Sequence, residues 1–424
     1  MPTQSEFDGF LGRMAAPFPE PTRTERLDRV VISGAGPTGL TAALTLARLG
    51  VPVTVIEKLD GLSGESRAST FHPPTLELLD ELGVAAQVVA DGLIAPTTQF
   101  RDRQHGPVAT FDLGALAGET SFPFRVQLEQ SKLTPMLLAA LMAGHKDGSL
   151  DVEVRFSHRA HWAETLDNGA AVLVGTPKEL VRIEAPWVIA AEGAHSGIRT
   201  GLGIEMEGEI YPERFLVVSV AEELSDHISD LAFVNYVADP SEWLVLLRTP
   251  DHWRLLFPIP DAAGTDQEVC VPAFVQSRLD GVVNLGRDWE VLATSIYVVA
   301  RRAAQRFREG RILLAGDAAH QNSPLGGMGM NSGIQDAVSA GRRLASVWGG
   351  ASEDVLDEYA QLRREVAVEH VQADSHANWL VLREPDPDTR ATYQRELQEI
   401  AADPVRHAER MRRSAMLESV RNHL

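Results

Sequence analysis

Residues 312–337 read ILLAGDAAHQNSPLGGMGMNSGIQDA, and this stretch decides how the rest of the chain is interpreted. The apolar run at 312–315 predicts a buried strand, and a glycine-rich loop follows it. Ser332 and Gln335 have the spacing of a capping box, which predicts the start of a helix. A strand that delivers such a loop to a helix N-terminus brings free backbone N–H groups and a positive dipole end together. With Asp317 to accept from a sugar hydroxyl, the segment suits a large, anionic, ribose-bearing cofactor; the alternative is an ordinary strand–loop–helix connection.

A second glycine-rich turn lies in RVVISGAGPTGLTAALTLARLG at 29–50. A buried strand is predicted at 30–33, then the glycines of GAGPTG, then a helix that ends at Gly50. The next predicted strand, VPVTVIE, ends in Glu57. An acid about 20 residues beyond the glycines is where the dinucleotide fingerprint places its ribose-binding carboxylate. The combination predicts a dinucleotide-binding βαβ unit, against the alternative of a glycine turn without a ligand.

Two further segments are ambiguous from their residues alone. EGAHSGIR at 192–199 follows a predicted strand. Taken by itself, this segment favours Ser196 as a helix cap and Arg199 as a surface residue. Arg67 lies on a loop before a predicted helix, where it is either a solvated cation or a clamp on the cofactor.

Composition excludes several classes of function. The formal net charge of −20 argues against a nucleic-acid partner or an anionic membrane, since both require a basic face. Cys270 is the only cysteine, so no intrachain disulfide or cysteine metal site is expected, and the scattered histidines predict no metal site. Because no long apolar run occurs, a cytoplasmic protein is expected.

A chain of 424 residues is too long for one simple core, so two or three domains are expected. The patterns predict an α/β protein, α+β overall, in which an antiparallel sheet interrupts a nucleotide-binding domain. Strands at 152–156, 170–175 and 180–185 are predicted to form a meander, and a long helix is predicted at 352–382. The predicted division is an N-terminal arm at 1–28, a discontinuous nucleotide-binding domain at 29–96, 126–204 and 301–348, a β-sheet domain at 97–125 and 205–300, and a C-terminal helical region at 349–424.

The three motifs GAGPTG, EGAHSGIR and GDAAHQNSPLGGMGMNSGIQDA resemble, in order and spacing, the cofactor motifs of the group A FAD-dependent aromatic hydroxylases. That family has the para-hydroxybenzoate hydroxylase fold, and the likeness covers most of residues 29–345. The resemblance implies a Rossmann-like FAD-binding domain, an inserted antiparallel-sheet substrate domain and C-terminal helices.

The resemblance also implies roles for single residues. Asp317 would bind the ribityl chain or the pyrophosphate end, and residues 327–331 would lie along the isoalloxazine. Pro324 would sit over the flavin with its carbonyl towards the substrate. The FAD contacts implied in this way are Gly34, Gly36, Pro37, Thr38, Gly39, Glu57, Lys58, Arg67, Gln130, Glu192, Gly193, Gly316, Asp317, Pro324, Gly327, Met328, Gly329, Met330 and Asn331.

The reaction implied by the resemblance has two stages. NADPH or NADH reduces FAD, and dioxygen then gives a flavin hydroperoxide that hydroxylates a phenolic or heteroaromatic substrate. The candidate catalytic residues are Pro324, Arg67, Arg254 and Tyr236. Arg254 would pair with a substrate carboxylate or phenolate or would cap a sheet edge, and Tyr236, Trp243 and Tyr297 could each line a pocket or belong to the core.

Other outcomes on the same fold stay open at this point. They are Baeyer–Villiger oxidation or N-oxygenation, epoxidation, and oxidoreduction without oxygen insertion; a non-catalytic dinucleotide-binding protein is more remote. A homodimer is also left open. Two residues depart from the family pattern: Glu192 stands where Asp is usual, which puts efficient reduction by free NAD(P)H in doubt, and Met328 stands where many members carry Gln.

Overall fold

A computed structural model describes residues 20–65 and 67–421. At its largest core lies a six-stranded sheet, parallel except at one edge pair. In spatial order its strands are Arg308–Glu309, Ile312–Leu314, Trp187–Ala190, Val30–Ser33, Val53–Ile56 and Val152–Arg155. The four inner strands are buried along their whole length, as expected where both faces of a parallel sheet are covered. The helices Pro37–Arg48, Gln130–Asp147 and Gly329–Trp348 pack together beside it.

A four-stranded sheet adjoins this core. Its strands, in spatial order, are Arg23–Arg26, Leu180–Ala185, Gly169–Gly175 and Arg159–Leu166. The turn between Leu166 and Gly169 confirms the hairpin predicted from Asn168-Gly169. The predicted meander is wrong in its first strand. Val152–Arg155 pairs in parallel with Val53–Ile56 and belongs to the six-stranded sheet. Most of the predicted arm, residues 1–19, lies outside the described residues.

An eight-stranded sheet covers the other side of the molecule. Its strands, in spatial order, are His320–Gln321, Val291–Ala304, Met206–Val220, Trp253–Pro260, Leu244–Arg248, Val234–Ala238, Thr97–Asp102 and Gly106–Asp112. All its pairs are antiparallel except that between Val234–Ala238 and Thr97–Asp102. One face packs on helices Asp266–Val269 and Pro272–Asp280. The other, called the inner face below, packs on Leu325 and on C-terminal helices.

The C-terminal region closes over the inner face. The predicted long helix is confirmed at Asp354–Glu365 and Ala373–Leu382, with a π-helical segment, Val366–Gln372, between them. Buried Leu397, Met411 and Leu417 then contribute to the inner-face core. The described helices include none that is long and apolar enough to cross a membrane.

The remaining elements are short or lie at the periphery. A three-stranded sheet is formed by Thr70–Phe71, Arg125–Gln127 and Leu93–Ala95. The remaining α-helices are Pro73–Glu81, Ala85–Asp91, Gly197–Gly201, Pro387–Ala402, Pro404–Ser414 and Leu417–Arg421. Short 3₁₀ turns occur at Leu113–Leu116, Leu224–Asp226, Asp261–Ala263 and Gly316–Ala318.

Candidate active site

The first glycine motif packs directly against the second. Gly34 has a φ of +108°, and a Cβ there would lie 2.4 Å from the carbonyl oxygen of Ala191, just before Glu192. A Cβ on Gly39 would lie 1.9 Å from the Gly34 carbonyl oxygen, so only glycine fits. A Cβ on Gly36 would meet nothing within 4 Å. Two glycines of the motif are therefore required by packing, whereas the third faces open space, as a phosphate cradle requires.

The first motif also meets the third. Gly316 has a φ of +62°, and a Cβ there would lie 2.6 Å from Thr38 Oγ1. A Cβ on Gly333, in the helix that follows the third motif, would lie 2.5 Å from the same atom. Thr38 therefore joins segments almost 300 residues apart in the chain, roughly the separation of positions 38 and 333. The structure brings all three motifs together at one end of the six-stranded sheet.

The helix of the third motif begins earlier than its sequence predicts. It runs Gly329–Trp348 with Met328 as N-cap and no side-chain cap, so the capping box predicted from Ser332 and Gln335 is wrong. Ser332 lies inside the helix, where its hydroxyl accepts a hydrogen bond from Arg363 Nη2 at 3.2 Å. The helix therefore begins three residues before Ser332. The serine hydroxyl binds a buried arginine distant in sequence and does not cap the first turn.

Two helix N-termini at the site consequently lack a side-chain cap. One begins at Gly329 after Met328, and the other begins at Pro37 after Gly36. The N–H groups of a first helical turn have no partner within the helix and attract negative charge. Two such ends, on either side of the Thr38 contact, fit an elongated anionic cofactor such as FAD.

Glu57 closes the first motif at the end of its strand. Its carboxylate is buried and accepts from the backbone N–H of Ala35 at 2.8 Å and of Leu59 at 3.0 Å. A carboxylate has about four acceptor positions, so these two bonds orient the group while leaving capacity for ribose hydroxyls. The neighbouring Lys58 is exposed.

The second motif is organised around the carboxylate of Glu192. One oxygen accepts from Ser196 Oγ at 2.6 Å and the other from the backbone N–H of Ile198 at 3.3 Å. Burial raises the pKa of Glu192, against the lowering influence of these hydrogen bonds. The Glu192 side chain, which is longer than the Asp usual in the family, thus reaches the helix that starts at Gly197. Gly193, with a φ of +87°, makes the turn between Glu192 and this helix.

Arg199 connects the second motif with the third. Its surface position, predicted from the segment alone, is wrong: Arg199 is 7% exposed and donates to the carbonyl oxygen of Ala318 at 3.0 Å. The predicted cap is confirmed, because Ser196 Oγ accepts from the Arg199 backbone N–H at 3.0 Å. The local pattern located the cap, whereas the partner of the guanidinium lies in the 3₁₀ turn Gly316–Ala318, more than a hundred residues away.

Positive charge gathers beside this turn. Burial lowers the pKa of His195, and nearby cations lower it further. Those cations are Lys58, Arg199, Arg67 and Arg302. The Arg67 side chain is half exposed and pairs with Glu65, and it is close enough to the exposed Asp317 for their charges to interact. A cationic rim of this kind suits phosphate groups.

The loop at 322–328, called the proline–glycine loop here, is held by the inner face. The Tyr236 hydroxyl accepts from the backbone N–H of Gly326 at 3.0 Å. Pro324 is exposed, and its carbonyl oxygen accepts from the N–H of Gly327 at 3.0 Å, which closes a turn. Tyr236 therefore joins the sheet to the loop that the resemblance places beside the flavin ring.

The opposite side of the proline–glycine loop is held by His72 and Asn331. His72 Nε2 donates to the carbonyl oxygen of Gly326 at 2.8 Å. Burial and the charge of Arg125 hold the pKa of His72 well below its usual range, so the ring is neutral. The Asn331 side chain accepts from the His72 backbone N–H at 2.9 Å and donates to Thr70 at 2.8 Å. Asn331 thus fixes the loop through backbone partners.

Met328 points towards the C-terminal region. It is 3% exposed and packs with Val366, Val371 and Met416. The π-helical segment supplies two of these partners, and its last residue, Gln372, donates to the carbonyl oxygen of Gln321 at 3.2 Å. At the position where many members of the family carry Gln, this chain thus places an apolar side chain in a buried cluster.

A buried charge cluster supports the third motif from behind. Asp336 accepts from the Gly316 backbone N–H at 3.0 Å, from His320 Nε2 at 2.7 Å and from Arg363 Nε at 2.7 Å. Burial would raise the pKa of Asp336, but His320 and Arg363 outweigh it and lower the pKa to about 2. Tyr359 adds a hydrogen bond to the Leu314 carbonyl oxygen at 2.6 Å. No local pattern predicts this cluster, because its members lie on four separate segments, and its one sequence signal is an Arg among the apolar positions of an amphipathic helix.

The inner face collects the candidate substrate residues. Tyr236, Trp243 and Tyr297 belong to its apolar cluster. Arg254 alternates along its strand with Trp253 and Leu255 of the outer face, so it too points inward, and it is 2% exposed. The alternative that Arg254 caps a sheet edge is wrong, because its strand lies inside the sheet. Burial lowers the pKa of Arg254, opposed by Tyr297 and Glu129.

The fold and the converging motifs define a flavoprotein of the aromatic hydroxylase type. A family model described as an FAD binding domain matches residues 28–374. The chain therefore belongs to the group A FAD-dependent aromatic hydroxylases, and it is an FAD-dependent monooxygenase. Among the described residues, no group of three or more His, Cys, Asp or Glu side chains could hold a metal ion.

Two relatives match over most of this chain and most of their own length. The chain is 32% identical over 371 residues to para-nitrophenol 4-monooxygenase of Pseudomonas sp. strain WBC-3, covering 86% of this chain and 90% of the relative. It is 31% identical over 357 residues to 6-hydroxy-3-succinoylpyridine 3-monooxygenase of Pseudomonas putida, covering 82% and 88%. A solved structure of p-nitrophenol 4-monooxygenase from Pseudomonas putida matches with a TM-score of 0.87 at 29% identity, covering 93% of this chain and 98% of that one.

Proposed function

We propose that this enzyme uses NADH or NADPH and dioxygen to hydroxylate a compact phenolic or heteroaromatic compound. Bound FAD would supply the redox chemistry, taking a hydride from the nicotinamide and activating dioxygen. The observation that carries the proposal is the meeting of three glycine motifs at two uncapped helix N-termini, next to a buried face that combines aromatic side chains with Arg254.

The proposed cofactor contacts follow the geometry of the motifs. Gly36 and the helix that begins at Pro37 would bind the pyrophosphate, and Glu57 would accept from the adenosine ribose. The helix end at Gly329 lies where negative charge on the reduced ring would be stabilised. The cationic rim at His195 receives the phosphates of the pyridine nucleotide.

The protein's contribution to the chemistry is to orient the substrate and to exclude water. The inner face offers Phe215, Tyr236 and Trp243, and the C-terminal helices cover it. Aromatic walls bury a flat ring without requiring hydrogen bonds from it. The guanidinium of Arg254 gives this apolar region a buried positive group, suited to a ring oxygen that becomes anionic. A phenol supplies both a flat ring and such an oxygen.

The test is oxidation of NADH and NADPH by the purified flavoprotein against a panel of phenols and hydroxypyridines, with the products weighed. We expect at least one phenol to accelerate the oxidation and to gain one oxygen atom. The variant Arg254→Met should lose affinity for that phenol by about tenfold or more, because it removes a charged partner in a buried site. The matched control is Arg248→Met, which changes a half-buried arginine at the end of the neighbouring strand, where it pairs with Glu223. Accelerated oxidation that yields no oxygenated product for any compound would contradict the proposal.

A further inference from the structure

Glu129 carries a buried carboxylate at the start of a helix, but this carboxylate does not cap the helix. It is the N-cap of helix Gln130–Asp147, yet its side chain caps no backbone N–H. The residue is 3% exposed. An acid at an N-cap ordinarily accepts from the first turn of its helix, so the carboxylate of Glu129 points elsewhere.

Neither oxygen of Glu129 meets a hydrogen-bond donor in the part of the chain that the structure describes. Its ion-pair partners stand at longer range, Lys132 Nζ at 3.4 Å from Oε2 and His252 Nε2 at 3.7 Å from Oε1. The Lys132 ammonium is also paired with exposed Asp251 at 2.5 Å. The charge of Glu129 is therefore balanced, whereas its acceptor positions are not used by protein donors. Buried polar groups are nearly always hydrogen-bonded, so this exception calls for an explanation.

The location of Glu129 explains why its carboxylate has no hydrogen-bond donor from the described protein residues. Gln130, the next residue, is one of the FAD contacts that the family resemblance implies. On the other side, Arg254 is close enough for its charge to interact with Glu129, and Tyr297 interacts with Arg254 from the neighbouring part of the inner face. Glu129 thus stands between the cofactor side of the molecule and the polar end of the inner face. A bound ring oxygen that faces Arg254 would lie within the same polar region.

We propose that Glu129 binds the ring hydroxyl of the substrate and accepts its proton, while Arg254 faces the oxygen. The proposal rests on the function proposed above. The O–H bond breaks, its electron pair stays on the ring oxygen, and the proton moves to a carboxylate oxygen of Glu129. An electron-rich ring results next to the flavin, which is the form that attack by an electrophilic oxygen requires. A ring that carries a carboxylate in place of the hydroxyl is repelled, because two anions would face one another.

The groups around Glu129 suit this role. Lys132, His252 and Arg254 face it with positive or neutral nitrogen, and Asp251 and Tyr297 stand behind Lys132 and Arg254. Burial lowers the pKa of His252, against the opposing influence of Glu129, so the imidazole is largely neutral near pH 7. A neutral imidazole beside the carboxylate can take up the proton and pass it to the surface, since His252 is partly exposed.

Binding to the FAD-loaded enzyme tests the proposal first. The probes are para-nitrophenol and para-nitroanisole, which differ only by the methyl group that replaces the hydroxyl proton, and affinity is followed by the change in flavin absorbance. The wild-type enzyme should favour the phenol by about tenfold or more, and Glu129→Gln should reduce that preference, since a neutral acceptor binds a hydroxyl more weakly. The control Asp251→Asn removes an exposed charge beside the same lysine and should keep the preference.

The pH profile of turnover separates proton acceptance from a structural role. Glu129→Gln should lower kcat by roughly tenfold or more below the solution pKa of the phenol, the low end for a general base. It should reach or exceed the wild-type value above that pKa, where the substrate arrives already ionised and the anionic Glu129 of the wild type repels it. A wild-type enzyme that binds the phenol and its ether equally, or a Glu129→Gln profile parallel to wild type, overturns the proposal. A wild-type enzyme that hydroxylates no phenol overturns the function itself and is recognised without any variant.

Discussion

Gly36→Ala should weaken FAD binding without lowering the stability of the fold, and it therefore tests the proposed pyrophosphate site separately from folding. Gly36 has φ −76° and ψ −178°, a conformation that alanine adopts without strain, and its added Cβ would meet nothing within 4 Å. Replacing glycine at such a site leaves stability unchanged or raises it by up to about 1 kcal/mol through the unfolded chain. The melting temperature of the FAD-free protein should therefore not fall.

FAD affinity should behave differently. If the pyrophosphate lies against the Gly36 backbone, the new methyl group occupies the space that the phosphates need. Overpacking of this size costs about 1–3 kcal/mol, which corresponds to a rise in Kd of about 5- to 150-fold. Titration of the FAD-free protein with FAD, followed by quenching of flavin fluorescence, measures the difference.

Gly118→Ala is the matched control, because a Cβ there also meets nothing within 4 Å and the residue is exposed far from the motifs in sequence. It should leave both melting temperature and Kd at their wild-type values. Unchanged FAD affinity in Gly36→Ala would refute the placement of the pyrophosphate. A large fall in its melting temperature would instead refute the argument from open space.

Three further changes test other parts of the site. Tyr236→Phe removes the hydrogen bond to Gly326 and should lower the free energy of unfolding by about 1 kcal/mol, measured by urea titration, with no loss expected if that bond does not form. Asp336 has a pKa of about 2 in the folded protein against a usual 3.8, which stabilises the folded state by about 2 kcal/mol. This contribution to the free energy of unfolding is complete above pH 3.8 and is lost as the pH falls towards 2. In Asp336→Asn, the free energy of unfolding from urea titrations should fall less steeply than in the wild type as the pH is lowered from 3.8 to 2. The same pH dependence in variant and wild type would contradict the burial of a charged Asp336. Glu192→Asp withdraws the carboxylate by about one bond length and should raise the rate of FAD reduction by NADH or NADPH by roughly tenfold in stopped flow; an unchanged rate would remove Glu192 from the reductive half-reaction.

Much of the cofactor site could be predicted because its signals are local. A strand, a glycine turn and a helix in close succession restrict the backbone strongly, and Gly34, Gly39 and Gly316 each occupy a position that excludes a side chain. The Asn168-Gly169 hairpin is local in the same way. Such features need no knowledge of distant residues.

The remainder depends on contacts between distant segments. Whether Arg199 is exposed is decided by Ala318, and whether Ser332 caps a helix is decided by Arg363. The partner of Val152–Arg155 is likewise a choice among sheets, which an apolar pattern does not specify. Glu129 looks from sequence like an ordinary acid at a helix start, and only its burial distinguishes it.

The origin of the oxygen atom in the product tests the proposed hydroxylation most directly. The purified flavoprotein is supplied with NADH or NADPH, para-nitrophenol or the best phenol of the panel, and heavy-isotope dioxygen in ordinary water, and the product is analysed by mass spectrometry. One heavy oxygen atom is expected in each molecule of product, because the flavin would insert one atom of dioxygen into the ring. A product whose new oxygen carries the isotope of water, or reduced nucleotide consumed with the phenol recovered unchanged, would contradict the proposed hydroxylation.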